Sequence, residues 1–245
     1  SAMSRNRTVL SIDGGGIRGI IPAMVLHHLE TATGHPAADL FDLMVGTSTG
    51  GILALGRAQP DTEKPAESRY SARDLADLYA NRGSQIFGKN IWRQLRSALG
   101  IFDESYSASP LESALADYFD DHVLGDCRCP TIVTAYDLEA RSTTFFKSFK
   151  SEHAQILCKS AARATSAAPT FFEPAKLQLQ GQPTALIDGA VFLNSPVVSA
   201  YAEALRLFPG DKITVISLGT GELVKPISGQ QAAGWGKIGW MLPVL

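Results

Sequence analysis

The chain has 245 residues, of which 45% are hydrophobic, and a formal net charge of −2. This size and apolar content suffice for one large core, and the near-neutral charge gives no reason to expect binding to a nucleic-acid polymer. No run approaches the ~18 apolar residues of a membrane span, and no apolar secretory segment precedes the first predicted strand. We therefore expect a soluble, cytoplasmic protein, with residues 1–3 an expression-tag scar and residues 4–245 a single domain.

The first predicted unit is a strand, a glycine loop and a helix. Residues 7–12 are a short β-rich run, residues 13–19 read DGGGIRG, and residues 20–33 have the pattern of a helix with proline in its first turn. Because Gly14, Gly15 and Gly16 carry no side chains, their backbone N–H groups can turn toward a bound carbonyl oxygen. The positive end of the following helix favours the same negative charge. The sequence therefore predicts an oxyanion-binding loop.

The second predicted unit is a nucleophile elbow. A short apolar strand leads into GTSTG at residues 46–50, and a helix of small residues follows. Gly-x-Ser-x-Gly at such a bend exposes the serine hydroxyl, and its glycines are needed where strand and helix cross closely. The amide of Thr49, at the start of the helix, also favours an oxyanion. We predict that Ser48 is a nucleophile.

The middle of the chain is predicted to combine helices, strands and one exposed loop. The loop covers residues 57–70, the helices cover 72–87, 109–122 and 152–165, and the strands cover 129–137 and 143–149. Ser109 and Glu112 have the spacing of a capping box. Residues 89–102 have the pattern of a basic amphipathic helix, which either packs on the domain or touches a membrane surface.

The last predicted elements are a strand ending at Asp188, a helix over 196–207 and a strand over 212–218. The alternation of strands and helices predicts a parallel or mixed sheet between helical layers. In such sheets reactive groups collect at the carboxyl ends of strands, where the glycine loop, Ser48 and Asp188 all lie. Residues 235–245 stop abruptly in apolar side chains, so we expect the domain to be incomplete at its C-terminus.

The chain contains three cysteines, Cys127, Cys129 and Cys158. Their number and spacing fit neither a disulfide framework nor a metal site. We expect packed, inert thiols, no metal site and no cofactor.

The base that would activate Ser48 is not settled by chain order. In α/β-hydrolases an acid and then a histidine follow the nucleophile. The histidines after Ser48 are His122 and His153, and neither follows Asp188. Either one of these histidines serves from an unusual place, or a carboxylate acts directly on the serine. Asp188 is the candidate carboxylate, because the small residues after it leave room beside it.

Four blocks in this order, at residues 13–19, 46–50, 164–172 and 188–190, resemble the patatin-like phospholipase family. The resemblance implies that Ser48 and Asp188 form a Ser-Asp dyad without histidine and that Gly14, Gly15 and Gly16 form the oxyanion loop. It also implies that Arg18 fixes this loop and favours anionic head groups. The chain departs from the common Asp-Gly-Gly pattern by having alanine at position 190, a familiar variant.

The resemblance further implies a three-layer α/β/α sandwich with a mostly parallel central sheet. Members of the family hydrolyse acyl esters of phospholipids without calcium, which implies a phospholipid substrate and peripheral contact with a membrane surface during activity. Some bacterial members are anti-phage effectors switched on by cyclic nucleotides, so an activator of that class is a further hypothesis. The sequence does not indicate an oligomeric state.

Two other functions compete with this interpretation. Gly14-x-Gly16-x-x-Gly19 also satisfies the fingerprint of a dinucleotide-binding oxidoreductase. That fingerprint needs an acid at the end of the next strand, whereas Asp39 precedes that strand. The second alternative is a lipid-binding relative without turnover, which the presence of both dyad residues disfavours.

Overall fold

The computed structural model describes residues 4–86, 108–169 and 171–221. The predicted tag scar at residues 1–3, the amphipathic segment at 89–102 and the apolar segment at 235–245 lie outside these ranges. Among the described residues, no helix combines the length and apolar character needed to span a bilayer.

Strands and helices alternate through most of the described chain. The strands are β1 Asn6–Ile12, β2 Leu43–Thr47, β3 Thr131–Asp137, β4 Ser142–Lys147, β5 Ala175–Leu179, β6 Gln182–Asp188 and β7 Lys212–Leu218. The α-helices are α1 Ile20–Thr33, α2 Ala37–Leu40, α3 Thr49–Ala58, α4 Ala72–Ile86, α5 Ser109–Phe119, α6 Cys158–Thr165, α7 Ala190–Leu193 and α8 Val197–Leu207. Short 3₁₀ helices cover Gly16–Gly19 and Leu124–Asp126.

The strands of the described residues form one seven-stranded sheet in the order β5-β6-β3-β2-β1-β7, with β4 paired to β3. Strands β7, β1, β2 and β3 lie side by side and run parallel to one another. Strands β4 and β6 run antiparallel to β3, and β5 runs antiparallel to β6. The sheet is therefore mixed and mostly parallel.

Alternating side chains on the central strands bury both faces of this sheet. Val9, Leu43 and Ile132 pack on one face against α8. Their sequence neighbours Leu10, Met44 and Val133 point to the other face, where α1, α3, α4, α5 and α6 supply the apolar partners. The resulting three layers confirm the predicted α/β/α sandwich.

The segment predicted as an exposed loop over residues 57–70 begins with buried side chains. Arg57 is in the last turn of α3, and only 1% of its surface is exposed. Its guanidinium donates to Glu30 on α1, and the same carboxylate accepts the N–H groups of Ala37 and Ala72. The exposed-loop prediction was wrong here because this buried ion pair joins three segments that are distant in sequence.

Two other local predictions were wrong in detail. The helix predicted over 152–165 begins only at Cys158, because the carbonyl groups of Ala154 and Ile156 accept N–H bonds from the 3₁₀ segment Leu124–Asp126. The predicted capping box is also absent at the start of α5, where Ala108 is the N-cap residue. Glu112 instead pairs with Arg163 on α6, with the two atoms 3.0 Å apart.

Candidate active site

The site forms where two strands meet head-on along one edge of β3. Strand β4 occupies the other edge of β3, so β2 and β6 must share the remaining one. Thr47, the last residue of β2, pairs with Thr134, and Asp188, the last residue of β6, pairs with Ala135. Because β2 and β6 run in opposite directions, their carboxyl ends face each other. This topology brings Ser48 next to Asp188.

Ser48 and Asp188 are in direct contact. The Ser48 hydroxyl donates a hydrogen bond to Asp188 Oδ2 at 2.5 Å, and the exposed fractions of the two residues are 7% and 4%. Asp188 Oδ1 accepts the N–H of Ala190 at 2.8 Å. Burial raises the pKa of Asp188 to about 6, although both hydrogen bonds act in the opposite direction. At neutral pH the carboxylate is thus charged and placed to accept the serine proton.

The backbone at Ser48 has the sharp bend predicted for a nucleophile elbow. Its φ of 53° and ψ of −122° are unusual for a residue with a side chain. The Ser48 N–H donates to Thr165 Oγ1 at 2.8 Å, so the end of α6 supports this conformation. A Cβ atom on Gly46 would lie 2.1 Å from the Gly50 carbonyl oxygen, and one on Gly50 would lie 2.2 Å from that of Ile12. Both glycines are required by backbone packing.

The first turn of α3 is held by a buried tyrosine of α4. The Thr49 hydroxyl donates to Tyr79 Oη at 2.6 Å, and the Tyr79 hydroxyl donates to the Thr49 carbonyl oxygen at 3.2 Å. Burial raises the pKa of Tyr79, so this phenol is neutral. The backbone N–H of Thr49 is in the first turn, where no intrahelical acceptor exists, and no residue in the described part of the chain accepts from it.

The glycine loop lies beside the serine. A Cβ atom on Gly14 would be 3.3 Å from Ser48 Cβ, which shows how closely the two segments approach. The Gly14 N–H already donates to the Asn194 carbonyl oxygen at 3.0 Å. Among the described residues, the N–H groups of Gly15 and Gly16 have no hydrogen-bond partner. The amides of Gly15 and Gly16 are therefore the donors of the loop that can bind an oxyanion. The absence of a side chain at Gly14 allows the loop to approach Ser48 closely.

Arg18 connects the glycine loop with the segment after β7. Its Nη1 donates to the Gly221 carbonyl oxygen at 3.2 Å. This hydrogen bond joins the loop to that segment, and the roles of Arg18 in fixing the loop and in contact with head groups stay predictions.

The two histidines left open by the sequence have other hydrogen-bond partners. His122 Nδ1 is 3.1 Å from Gln59 Nε2. His153 Nδ1 accepts the backbone N–H of Lys147 at 3.1 Å, and burial lowers the pKa of this ring. Of the two open alternatives, the geometry favours a carboxylate acting directly on Ser48.

The acid and the third glycine of the dinucleotide fingerprint have other contacts in this structure. Asp39 lies in α2, and its carboxylate accepts a hydrogen bond from Arg128 at 2.8 Å. A Cβ atom on Gly19 would lie 2.1 Å from Thr49 Oγ1, so this glycine permits contact with the elbow helix. The acid required by the dinucleotide fingerprint is therefore not at the end of β2.

The cysteines are free thiols, and burial raises the pKa of Cys129 to about 12. Within the described ranges, no group of three or more His, Cys, Asp or Glu residues is arranged to hold a metal ion.

Sequence reasoning assigned no individual role to several residues that support the site. These are Tyr79, Thr165, Asn194 and Thr220. Thr165 belongs to one of the four blocks that resemble the family, and this membership was the one sequence signal that it lies near the site. The other three residues lie outside those blocks and reach the site only through tertiary packing.

Residues 10–201 match a family model described as Patatin-like phospholipase. Patatin-like protein 2 of Arabidopsis thaliana is 29% identical over an alignment that covers 96% of this chain and 65% of that protein. Patatin-T5 of Solanum tuberosum is 30% identical, with 97% of this chain and 67% of that protein covered. The chain thus spans about two thirds of the length of these curated relatives. The crystal structure of VipD from Legionella pneumophila aligns at 14% identity and a TM-score of 0.44, covering 88% of this chain and 50% of that one.

Proposed function

The chain belongs to the patatin-like phospholipase family, and we propose that it is a lipid acyl hydrolase that cleaves fatty-acyl esters of phospholipids through a Ser48–Asp188 dyad. The observation that carries this proposal is the 2.5 Å hydrogen bond from Ser48 Oγ to the buried Asp188 carboxylate. A serine hydroxyl on a strained elbow, paired with a base whose pKa is raised to about 6, is equipped for nucleophilic attack at neutral pH.

In the first half of the proposed reaction, the ester carbonyl oxygen points toward the N–H groups of Gly15, Gly16 and Thr49. Asp188 accepts the Ser48 proton as Oγ bonds to the carbonyl carbon. The negative charge that develops on the carbonyl oxygen is stabilised by these three amides and by the positive end of α3. The tetrahedral intermediate collapses when the lysophospholipid or alcohol leaves with the proton from Asp188.

In the second half, a water molecule attacks the acyl-enzyme. Asp188 accepts a proton from the water, and the same amides stabilise the second oxyanion. The fatty acid leaves, and the proton returns to Ser48. Backbone amides supply the charge stabilisation, so we propose that hydrolysis is calcium-independent.

We further propose that the protein contacts a lipid surface through an apolar rim, which we define as Ile21, Leu138, Val191 and Phe192. These exposed side chains follow the strand ends and the glycine loop that border the site. Phe192, which is 72% exposed, lies four residues after Asp188 and stacks on Tyr136 with 5.8 Å between ring centroids. Exposed aromatic and aliphatic groups around a polar site fit the interfacial region of a bilayer. Arg18 is the candidate for contact with anionic head groups.

The primary test is fatty-acid release from mixed phospholipid vesicles by the full natural chain. Release should be lost in Ser48→Ala and in Asp188→Asn, because the first variant lacks the nucleophile and the second lacks the base. A calcium chelator should have no effect. The assay is repeated with a panel of cyclic oligonucleotides, since the resemblance suggested an activator of that class.

Two other outcomes of this test would contradict parts of the proposal. Unchanged release by Asp188→Asn would contradict the dyad and return His122 and His153 as candidate bases. A protein that binds vesicles but neither releases fatty acid nor labels Ser48 with a fluorophosphonate would be a lipid-binding relative without turnover.

A further inference from the structure

We propose that Thr220 is a positioning residue that fixes the orientation of the Gly14–Gly15 peptide and thereby aims the Gly15 N–H at the oxyanion. The inference rests on the proposed function, because the direction of this amide matters only if it binds a developing negative charge.

Thr220 reaches the glycine loop because β1 and β7 are adjacent parallel strands. Ile12 pairs with Leu218 at their carboxyl ends, so the two following segments leave the sheet side by side. Thr220 is buried, with 5% of its surface exposed, and its hydroxyl donates to the Gly14 carbonyl oxygen at 2.8 Å.

This hydrogen bond determines where the next amide points. The Gly14–Gly15 peptide is trans, and in a trans peptide the C=O and the N–H point in opposite directions. With the Gly14 carbonyl oxygen held toward Thr220, the Gly15 N–H must point away from Thr220. The preceding peptide is fixed as well, since the Gly14 N–H donates to the Asn194 carbonyl oxygen at 3.0 Å.

The contact between Gly15 and Thr220 is also tight. A Cβ atom on Gly15 would lie 2.1 Å from Thr220 Oγ1, 2.5 Å from its Cβ and 2.8 Å from its Cγ2. Any side chain at position 15 would therefore push Thr220 away from the loop. Glycine at 15 and threonine at 220 are matched to each other.

A glycine loop needs such a support because its backbone is permissive. Adjacent glycines populate several φ and ψ regions at low cost, so the Gly14–Gly15 peptide can rotate without a steric penalty from side chains. A rotated peptide would present the Gly14 carbonyl oxygen, instead of the Gly15 N–H, to the oxyanion. The Thr220 hydroxyl favours one orientation by giving this buried carbonyl its hydrogen bond.

Two other contacts of the loop do not hold this peptide. The Asp13 N–H donates to the Leu218 carbonyl oxygen at 2.9 Å, and Arg18 donates to the Gly221 carbonyl oxygen at 3.2 Å. They fix the two ends of the loop, before Gly14 and after Gly16. Thr220 alone among these three contacts acts on the carbonyl group whose peptide includes the Gly15 N–H.

The test compares Thr220→Val, which removes the hydroxyl at nearly constant shape, with Thr220→Ser, which retains it. With a short-chain soluble ester, we expect Thr220→Val to lower kcat by about 10- to 100-fold with little change in KM, because loss of one oxyanion donor lowers kcat by ~10²–10³ and misorientation weakens it partly. Thr220→Ser should stay within about threefold of the wild type. Thr220→Ala serves as a second hydroxyl-free variant if the valine variant does not fold.

A second readout separates orientation from general stability. A trifluoromethyl ketone forms a hemiketal with Ser48, in which the carbonyl oxygen becomes an oxyanion, so its affinity should fall in parallel with kcat/KM. Thr131→Val is the matched control. The Thr131 hydroxyl also donates to a backbone carbonyl, that of Cys129 at 3.0 Å, but at the opposite end of the sheet. It should lower the melting temperature without changing kcat.

The outcomes distinguish this inference from the proposed function. If the wild type hydrolyses esters and neither Thr220→Val nor Thr220→Ala lowers kcat or ketone affinity beyond Thr131→Val, the positioning role is wrong and the dyad is unaffected. If the wild type itself neither hydrolyses esters nor labels with a fluorophosphonate, the proposed function fails and the positioning role fails with it.

Discussion

At the scale of single residues, Asp188 is a carboxyl group in an environment that opposes its charge. Burial raises its pKa from 3.8 to about 6, and its hydrogen bonds from Ser48 and Ala190 offset only part of this effect. Because the folded-state pKa is above the unfolded value, the contribution to stability is complete below pH ~4 and is lost as pH rises through about 6. The loss is on the order of 3 kcal/mol at neutral pH, by the conversion of about 1.4 kcal/mol per pKa unit. Shifts of this kind, which lower stability at neutral pH, cluster at functional sites.

The same shift predicts how activity depends on pH. The proposed base works only as the carboxylate, so kcat/KM for a soluble ester should fall on the acid side with an apparent pKa of about 6. At pH 5 the rate should be about a tenth of its plateau value, because only that fraction of Asp188 is ionised. Initial rates between pH 4.5 and 8.5 measure this limb. A profile that stays flat down to pH 5 would contradict the assignment of Asp188 as the base.

At the scale of elements, the site depends on the close approach of α3 to both β2 and β1. The first turn of α3 touches the end of β2 and the end of β1 through backbone atoms, which cannot rotate away as side chains can. The space for a methyl group is missing at Gly46 and at Gly50. The elbow is therefore a packing feature of three elements, β1, β2 and α3, as much as a property of the serine.

We predict that Gly50→Ala destabilises the protein by about 1–3 kcal/mol or more, because its Cβ would lie 2.2 Å from the Ile12 carbonyl oxygen. Urea unfolding followed by circular dichroism measures the loss. Gly219→Ala is the control, since a Cβ there would have its nearest neighbour, Asp13 Oδ2, at 3.8 Å. Equal stability of the two variants would show that α3 can move away from β1 at little cost.

At the scale of the whole molecule, the two faces of the sheet are covered unequally, and the site lies at the carboxyl ends of the central strands. In the described part of the chain, helix α8 covers one face, and helices α1, α3, α4, α5 and α6 cover the other. The end of the sheet at which β1, β2 and β3 finish carries the glycine loop and the elbow, and the proposed apolar rim is assigned to the same end. Under the proposed function, a lipid that approaches from this end meets the apolar rim before it meets Ser48.

We predict that Phe192→Ser weakens binding to phospholipid vesicles and slows release of long-chain fatty acids by about 3- to 30-fold, as expected when one large apolar group no longer enters the interface. Hydrolysis of a short soluble ester should be unchanged. Vesicle co-sedimentation and parallel rate measurements with both substrates test this. Leu205→Ser is the control, because Leu205 is also exposed but lies near the C-terminal end of α8. Equal effects of the two variants would contradict a docking role for the rim.

The sequence by itself determined the features that depend on local chain geometry. Strand β7 and helix α1 have the predicted bounds, because period, proline and glycine signals act within a few residues. The glycine loop and the elbow were identified for the same reason. Their glycines are needed for turns and close contacts that the flanking elements already imply.

Only the tertiary structure decided which group lies against Ser48. Chain order left His122, His153 and Asp188 open, and Asp188 is 140 residues from the serine. Their contact arises because β6 runs antiparallel and shares one edge of β3 with β2, a pairing that no local pattern encodes. Thr165, Tyr79 and Thr220 reach the site in the same way, through contacts whose partners are distant in sequence. Local propensity fixes each element, whereas the neighbours of each element are fixed by burial and strand pairing across the whole chain.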